Sequence, residues 1–509
     1  MNAMDKTLID HLQQSVDREP DGLYARFNDV AFTYAELDRQ SNALAASLVA
    51  EGLKAGDRVA VMMRNSIAAL SVIFGLSKAR LVWIPVNAQQ RGEGLRYILE
   101  HSQPALAIAD ADLVPLIQEA EPAGGLKIIM HGVSSKASSL DDILAANILF
   151  DGIPPQRDDI FAIMYTSGTT GRPKGAIVSH LMLKLASEAV SLVSAAKPGD
   201  VFFVWEALYH IGGAQLLPLP MSHGIKLAMV ERFSASRFWD QAKQVGATHI
   251  HHLGGILQLL LKQPQSQLDK THGVRIAWGG GCPRDIWKAF QDRFGVQIRE
   301  CYGMTEASSI TTYNDSGVVG AVGKPTPWFS VRLLDADGRD VPPGERGEIV
   351  VTTSLPGAIF PGYFNNPEAT AKALRNDSLY TGDYGSFDAD GTMFFHGRMT
   401  DSVRCRGENV SAWEVEHVAV DHPDIEDCAM VGVVSDVGEQ DIKLFVKLKP
   451  GHRLEEAALS GWLAERLAPY QNPRYLAVVA DFERTASQRI MKHKLSKALD
   501  DCWDRFAKV

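Results

Sequence analysis

The sequence predicts an α/β protein. A large N-terminal domain of stacked α/β subdomains, with a β-rich subdomain at its end, precedes a small α+β domain. Three observations carry this. Apolar strand runs and amphipathic helix patterns alternate from Thr33 to Met130. Strand-like runs separated by turns at Asp337-Gly338 and Pro343-Gly344 take over between Gly320 and His396. Gly397-Arg398-Met399-Thr400-Asp401 then breaks the pattern, and a compact mixture of helix and strand runs follows. The 509 residues are too many for one ordinary domain and suit several packed subdomains.

The elements follow in order. Thr33-x-x-Glu36 reads as a capping box that opens a helix. Leu37, Leu44 and Leu48 recur at near-helical spacing, and Gly52 is a natural stop. Val59–Met63 is an apolar strand, Ala68–Ala79 a helix and Leu81–Val86 a strand. Leu106–Ala109 and Ile128–Met130 continue the alternation, which argues for parallel layers. A first subregion ends near Gly152–Gln156, a second runs to Val319, and a third, with strands at Val331–Leu334 and Glu348–Thr352, ends at His396. In the last unit Trp413–Val420 and Leu454–Leu467 read as helices. Cys428–Val434, Ile442–Leu448 and Tyr475–Val479 read as strands. The expected division is a large domain over 1–397 and a small one over 398–509, within the ordinary domain size.

Composition bounds the function. The chain is 46% hydrophobic and 22% charged, as a globular protein is. With 51 basic and 61 acidic residues its net charge is −10, and no basic run stands out, so a nucleic-acid partner is not expected. Five scattered cysteines form no C-x-x-C pair, and the expected setting is reducing and cytoplasmic. Met1–Asp10 has no apolar core of a signal peptide. The most apolar stretches, Leu70–Val86 and Ile256–Leu261, are interrupted by charge or too short to span a bilayer.

One segment points to chemistry. Tyr165-Thr166-Ser167-Gly168-Thr169-Thr170-Gly171-Arg172-Pro173-Lys174-Gly175 lies between the apolar runs Ile160–Met164 and Ala176–Val178. Its glycines let backbone approach a ligand closely. The hydroxyls of Thr166, Ser167, Thr169 and Thr170 can donate to phosphate oxygens, and Lys174 adds a mobile cation. A P-loop would place the lysine directly after the glycine. Here Arg172 and Pro173 intervene, which argues against a P-loop NTPase.

This segment resembles the signature loop of the adenylate-forming enzymes: acyl-CoA synthetases, carrier-protein adenylation domains and luciferases. Further blocks occur in that family's order, from about residue 20 to 498. Gly279-Gly280-Gly281-Cys282-Pro283 follows an apolar run; the resemblance implies that it packs against adenine and the acyl group. Tyr302-Gly303-Met304-Thr305-Glu306 matches Y-G-x-T-E. The implied roles are adenine stacking for Tyr302, an α-phosphate bond for Thr305 and Mg²⁺ binding for Glu306. Thr381-Gly382-Asp383 matches T-G-D, which implies that Asp383 accepts from the ribose hydroxyls and that Arg398 reaches ribose or phosphate.

His210, in Leu208-Tyr209-His210-Ile211-Gly212-Gly213, resembles the family's P-x-x-H-x-x-G without its proline, a site that lines the acyl pocket. His251-His252-Leu253-Gly254-Gly255 is a second candidate wall; adjacent residues of a strand point apart, so the pair is not read as a metal site. Arg406-Gly407-Glu408-Asn409-Val410 resembles the loop that lines the pantetheine tunnel, with Gly407 as its glycine. Gly362–Thr370 matches a block read as structural.

One departure stands out. The family's C-terminal motif P-x-T-x-x-G-K-I carries a catalytic lysine, whereas this chain reads Arg484-Thr485-Ala486-Ser487-Gln488-Arg489-Ile490-Met491-Lys492. Arg489 stands at the lysine position; Lys492, three residues on, is the alternative, and weakened adenylation is a third reading. Arg489 is preferred because guanidinium stays charged and bridges oxygens.

The resemblance implies a two-step reaction using ATP, Mg²⁺ and coenzyme A. A carboxylate is activated as acyl-AMP with release of pyrophosphate, the small domain turns about a hinge at 398–401, and a thiol attacks. An acid–CoA ligase of the carnitine or fatty-acid type is expected, favoured by the lack of a carrier-protein segment at Val509. The alternatives are transfer to an amine or carrier protein, and a non-catalytic adenylate- or acyl-CoA-binding protein. The acid is not specified, and a homodimer is left open.

Overall fold

The computed structural model describes residues 5–507 except 122–124, 133–138, 167–171, 254–255, 283, 336, 399–401, 436–437, 484–489 and 491. The Thr33 capping box forms as expected: the Thr33 hydroxyl accepts from the Glu36 N–H at 3.2 Å, and the Glu36 carboxylate accepts from the Thr33 N–H at 2.8 Å. The helix Tyr34–Ala50 buries Leu37, Leu44 and Leu48. It crosses the helix Ile67–Lys78 closely, since a Cβ at Gly75 would stand 2.8 Å from Leu44 Cδ2. That second helix is buried on every face. The charge that interrupts it, Lys78, donates to Asp38 and Asn42, both at 2.6 Å. No helix among the described residues is long and apolar enough to cross a membrane.

Among the described residues the large domain holds three sheets. A six-stranded sheet runs in the order Ile128–His131, Leu106–Asp110, Arg58–Met62, Val82–Pro85, Ile160–Thr166, Lys174–Ser179. All of its pairs are parallel except the last. A nine-stranded sheet contains Gln297–Tyr302, Ile276–Gly280, His249–Leu253 and Val201–Val204 as successive parallel neighbours. A five-stranded antiparallel sheet spans Phe329–Arg398.

Two expectations need correction. The subregions drawn along the chain are not the spatial units. Leu23–Phe27 and Val30–Thr33 leave the first region to pair on the nine-stranded sheet beside Lys226–Met229. Ile160–Thr166 and Lys174–Ser179 leave the second to complete the six-stranded sheet. The cause is long-range pairing of apolar strands, which local periodicity does not encode. In addition, Lys174 starts a strand rather than lying in a loop, because its residue pairs with Thr166.

The two helices and three strands read for the smaller domain are present, and the structure adds a hairpin before them and a short strand after them. A hairpin of Ser402–Cys405 and Glu408–Ser411 leads into the helix Ala412–Val420. A sheet of Ile425–Val434, Gln440–Leu448, Tyr475–Val479 and Trp503–Asp504 follows. Its core of Val410, Val415, Leu444, Leu459 and Leu463 is separate from that of the large domain.

Candidate active site

A cavity of about 1850 Å³ opens where the C-terminal ends of the large domain's parallel strands meet the small domain. Such strand ends are the usual place for a ligand in α/β sheets. Thr166, Lys174, His210, Gly280, Gly281, Tyr302, Gly303, Thr305, Glu306, Asp383, Gly407 and Lys492 all line it, so residues spread over the whole chain converge. Ser167, Gly168, Thr169, Thr170, Gly171 and Arg489 lie outside the described residues, as does the Arg398 side chain.

The turn after Gln297–Tyr302 is tightly determined. A Cβ at Gly303 would fall 1.8 Å from the Ser309 carbonyl oxygen, so only glycine lets the chain fold back there. The folded-back turn Thr305–Ala307 buries Thr305 and Glu306. Glu306 accepts from the Tyr363 hydroxyl at 2.7 Å, and the Lys174 ammonium lies 5.0 Å over the Tyr363 ring. Burial holds Lys174 below the ordinary lysine range, and the Glu306 carboxylate opposes that. Tyr363 therefore belongs to the site; the expectation that its block is purely structural is corrected. A phenol that touches both the acid and the base leaves no periodic signal in a sequence.

Tyr302 donates to Asp383 at 2.7 Å, and its ring stacks on Phe395 at 5.5 Å. Behind the glycine segment Gly281–Cys282, Glu300 accepts from the backbone N–H of Gly281 and, at 3.1 Å, from that of Cys282. Burial pushes Glu300 up to about 8 and the adjacent His252 down to about 3. Gly279 is a packing residue: a Cβ there would fall 1.9 Å from the His252 carbonyl oxygen, and the cavity is lined by Trp278 and Gly280 on either side of it. Of the two histidines read as one wall, His251 lines the cavity and His252 is buried behind it, as strand alternation requires.

The domain seam places charge too. His210 Nε2 contacts Glu408 Oε2 of the small domain at 2.7 Å. Asn87 reaches the same carboxylate at 3.4 Å, and Tyr470 donates to Gln90 at 3.1 Å. Gly407 has φ 82°, which favours glycine, and its N–H donates to Glu439 at 3.0 Å. Lys492 Nζ pairs with Glu416 Oε1 at 2.7 Å inside the small domain. It thus borders the cavity with its charge already engaged.

The residues fit a magnesium nucleotide. Glu306 offers a buried hard-oxygen ligand at the turn that also carries Thr305 and faces Lys174. No group of three metal-ligating side chains occurs among the described residues.

Comparison with known proteins agrees. The model of the AMP-binding enzyme family matches residues 12–364, and that of the AMP-binding enzyme C-terminal domain matches 414–489. Crotonobetaine/carnitine–CoA ligase of Salmonella arizonae is 30% identical over 493 residues, covering 91% of this chain and 93% of that protein. Among solved structures, a double mutant of o-succinylbenzoate CoA synthetase from Bacillus subtilis, bound to its product analogue OSB-NCoA, aligns with a TM-score of 0.86 at 23% identity. It covers 97% of this chain and 99% of that one. The same synthetase in complex with its acyl-adenylate intermediate aligns over the same shares, again at 23% identity, with a TM-score of 0.70. With both family models matched in order and the signature side chains gathered in one cavity, the chain belongs to the AMP-binding, adenylate-forming enzymes.

Proposed function

We propose that this protein is an AMP-forming acid–CoA ligase that activates a carboxylic acid with ATP and transfers the acyl group to the thiol of coenzyme A. The observation that carries this reading is the convergence of Lys174, Thr305, Glu306, Tyr302 and Asp383 with His210 and Gly407 on one two-domain cavity. The relatives that are CoA ligases across nearly the whole length support the thiol as acceptor.

In this reading Asp383 and Tyr302 orient the ribose and adenine, and Gly280 and Gly281 lie along the base. Lys174, its ammonium disfavoured by burial, regains a stable charge beside the triphosphate. Attack of the carboxylate on the α-phosphorus builds negative charge on phosphoryl oxygens. The Thr305 hydroxyl and Lys174 stand ready where it develops, so little reorganisation is needed. Glu306 would hold Mg²⁺, whose chemistry is to neutralise phosphate charge. Arg489 would supply the remaining cation, because Lys492 is committed to Glu416.

The domain boundary at 397/398 and a hinge at 398–401 belong to the same proposal. The higher TM-score to the product-analogue complex than to the acyl-adenylate complex supports an arrangement suited to thioester formation. The His210–Glu408 contact would then form in that arrangement and open when the small domain turns. The five scattered cysteines, none of them in a C-x-x-C pair, support a reducing compartment.

The test is pyrophosphate release and thioester formation from ATP, CoA and a panel of short, long, aromatic and polycyclic acids. Pyrophosphate and an acyl-CoA product are expected. Amide product with an added amine but no thioester would replace the reading, and nucleotide binding without pyrophosphate release from any acid would overturn it.

A further inference from the structure

Two ordered turns meet at the seam between the domains, and one of them has no room for a side chain. On the large domain, residues 87–92 lead into the helix Gly92–Ser102. Their shape is set internally. The Asn87 side chain accepts from the Gln89 N–H at 2.8 Å, and the Asn87 carbonyl accepts from the Gln90 N–H at 2.9 Å. On the small domain, residues 466–471 follow the helix Glu456–Ala464. The Gln471 N–H donates to the Ala468 carbonyl at 2.9 Å, and the Gln471 side chain accepts from the Ala468 N–H at 3.0 Å.

Gly92 is where the turns touch. Its φ is 54°, in the left-handed region, and a Cβ there would fall 2.7 Å from the Arg466 carbonyl oxygen. The Arg466 side chain turns back on its own helix. Its guanidinium lies 4.1 Å from the centre of the Trp462 ring and donates to the Trp462 carbonyl at 3.0 Å. The contact is therefore backbone against backbone, and no change of rotamer can relieve an added β-carbon. Gly438 of the small domain shows the difference: a Cβ there would meet the end of the Gln258 side chain, which can move aside.

Polar groups reinforce the seat. The Arg466 carbonyl lies just beyond the C-terminal end of one helix and beside the first turn of another, whose N-cap side chain makes no capping bond. The negative end of one helix thus meets the positive end of the other. Next to it, the buried Tyr470 hydroxyl donates to the buried Gln90 at 3.1 Å. Gln90 is held in place by a second glycine: a Cβ at Gly94 would stand 2.1 Å from Gln90 Nε2, so the amide lies over the first turn of its own helix.

We propose that Gly92 is the positioning residue that seats the small domain in the arrangement of this structure. Its missing side chain admits the Arg466 carbonyl, and the Gln90–Tyr470 bond fixes the turn beside it. Gly92 acts through the small domain and not on the reacting atoms. This rests on the ligase reading only in assigning the arrangement to thioester formation.

The test uses the full chain with Gly92→Asn, because asparagine tolerates a positive φ yet brings the β-carbon. Gly246→Asn controls for backbone strain, since Gly246 has φ 66° and open space where its Cβ would stand. Without substrates, amide hydrogen exchange in 87–95 and 466–471 should speed up about tenfold or more in Gly92→Asn and stay unchanged in Gly246→Asn. With ATP, CoA and whichever acid of the panel the natural chain turns over best, quenched flow should show thioester formation about tenfold slower in Gly92→Asn and pyrophosphate release unchanged. Tyr470→Phe adds no bulk and should move both readouts the same way by about fivefold, so it decides the matter if Gly92→Asn does not fold. Unchanged exchange, an unchanged thioester rate, equal slowing of both half-reactions or slowing confined to pyrophosphate release would overturn the proposal. Faster exchange as expected, with no pyrophosphate from any acid even in the natural chain, sinks the ligase reading alone. Normal turnover and unchanged exchange in Gly92→Asn sink this proposal alone.

Discussion

The two ends of the cavity are built in different ways. The nucleotide end is made of short contiguous runs whose conformation is dictated residue by residue: Gly303 cannot carry a side chain, Thr305 and Glu306 are buried by the turn it permits, and Gly281 is tied to Glu300. The other end, which the proposed reading gives to the acyl group, is assembled from Asn65, Glu206, Gly212, His251 and Trp278, brought together by sheet order. Phosphate and ribose are the same in every turnover, so one local geometry serves. The acyl group is what such an enzyme must discriminate, and its wall can change one strand at a time.

If the nucleotide end is the constrained one, the largest losses belong there. Arg489→Ala should lower acyl-adenylate formation about 100- to 1000-fold, the range for removing one group that stabilises transition-state charge. Lys492→Ala should leave that rate nearly intact and instead destabilise the small domain by about 1 kcal/mol, because Glu416 loses its partner. Single-turnover pyrophosphate release and thermal melting separate the two, and the reverse pattern would assign the role to Lys492.

Gly303→Ala should follow, at about 3 kcal/mol, since the added carbon meets backbone rather than a movable side chain. Denaturant unfolding measures this. An unchanged midpoint would show that the turn is softer than its contacts imply.

The seam should give a smaller and more selective effect. Glu408→Ala should slow thioester formation about tenfold, the cost of one charged hydrogen bond, with little change in pyrophosphate release. Quenched-flow measurement of each half-reaction checks it. Equal slowing of both would place Glu408 in adenylation.

The last effect appears only as a dependence on pH and concerns Glu300. Its carboxyl is raised to about 8 in the folded state, so between its ordinary value and that pH the native protein holds a proton the unfolded chain has released. Stability from this group is therefore present at low pH and lost as pH rises towards 8. Glu300→Gln keeps an oxygen to accept from Gly281 and Cys282 and removes the loss. Its stability should gain on that of the natural protein as pH goes from 5 to 8, by at most about 1.4 kcal/mol per unit, followed through the melting temperature. A constant gap would show that Glu300 is ionised throughout.

How much was legible follows the same division. The capping box at Thr33, the strand at Tyr475–Val479 and the helix at Ala412–Val420 depend on local hydrogen bonds and periodicity, and the sequence shows them. Lys174, Tyr302, Thr305, Glu306 and Asp383 sit in compact motifs. Tyr363 and the part of Glu408 at the seam were not legible as site residues, because each acts through a partner more than fifty positions away. His251 and His252 were read as one wall. Only the pleat's assignment of faces, set by which strand lies on each side, separates the cavity residue from the buried one.

By itself the sequence determined the alternating α/β architecture, the small second domain and the adenylate-handling motifs. These rest on short-range periodicity, turn chemistry and glycines that no other residue can replace. The tertiary structure alone decided that the chain's subregions exchange strands, that Lys492 is spent on Glu416, and that His251 rather than His252 lines the cavity. Those outcomes depend on long-range strand pairing and on which buried charges find partners, and neither is written in any local stretch of residues.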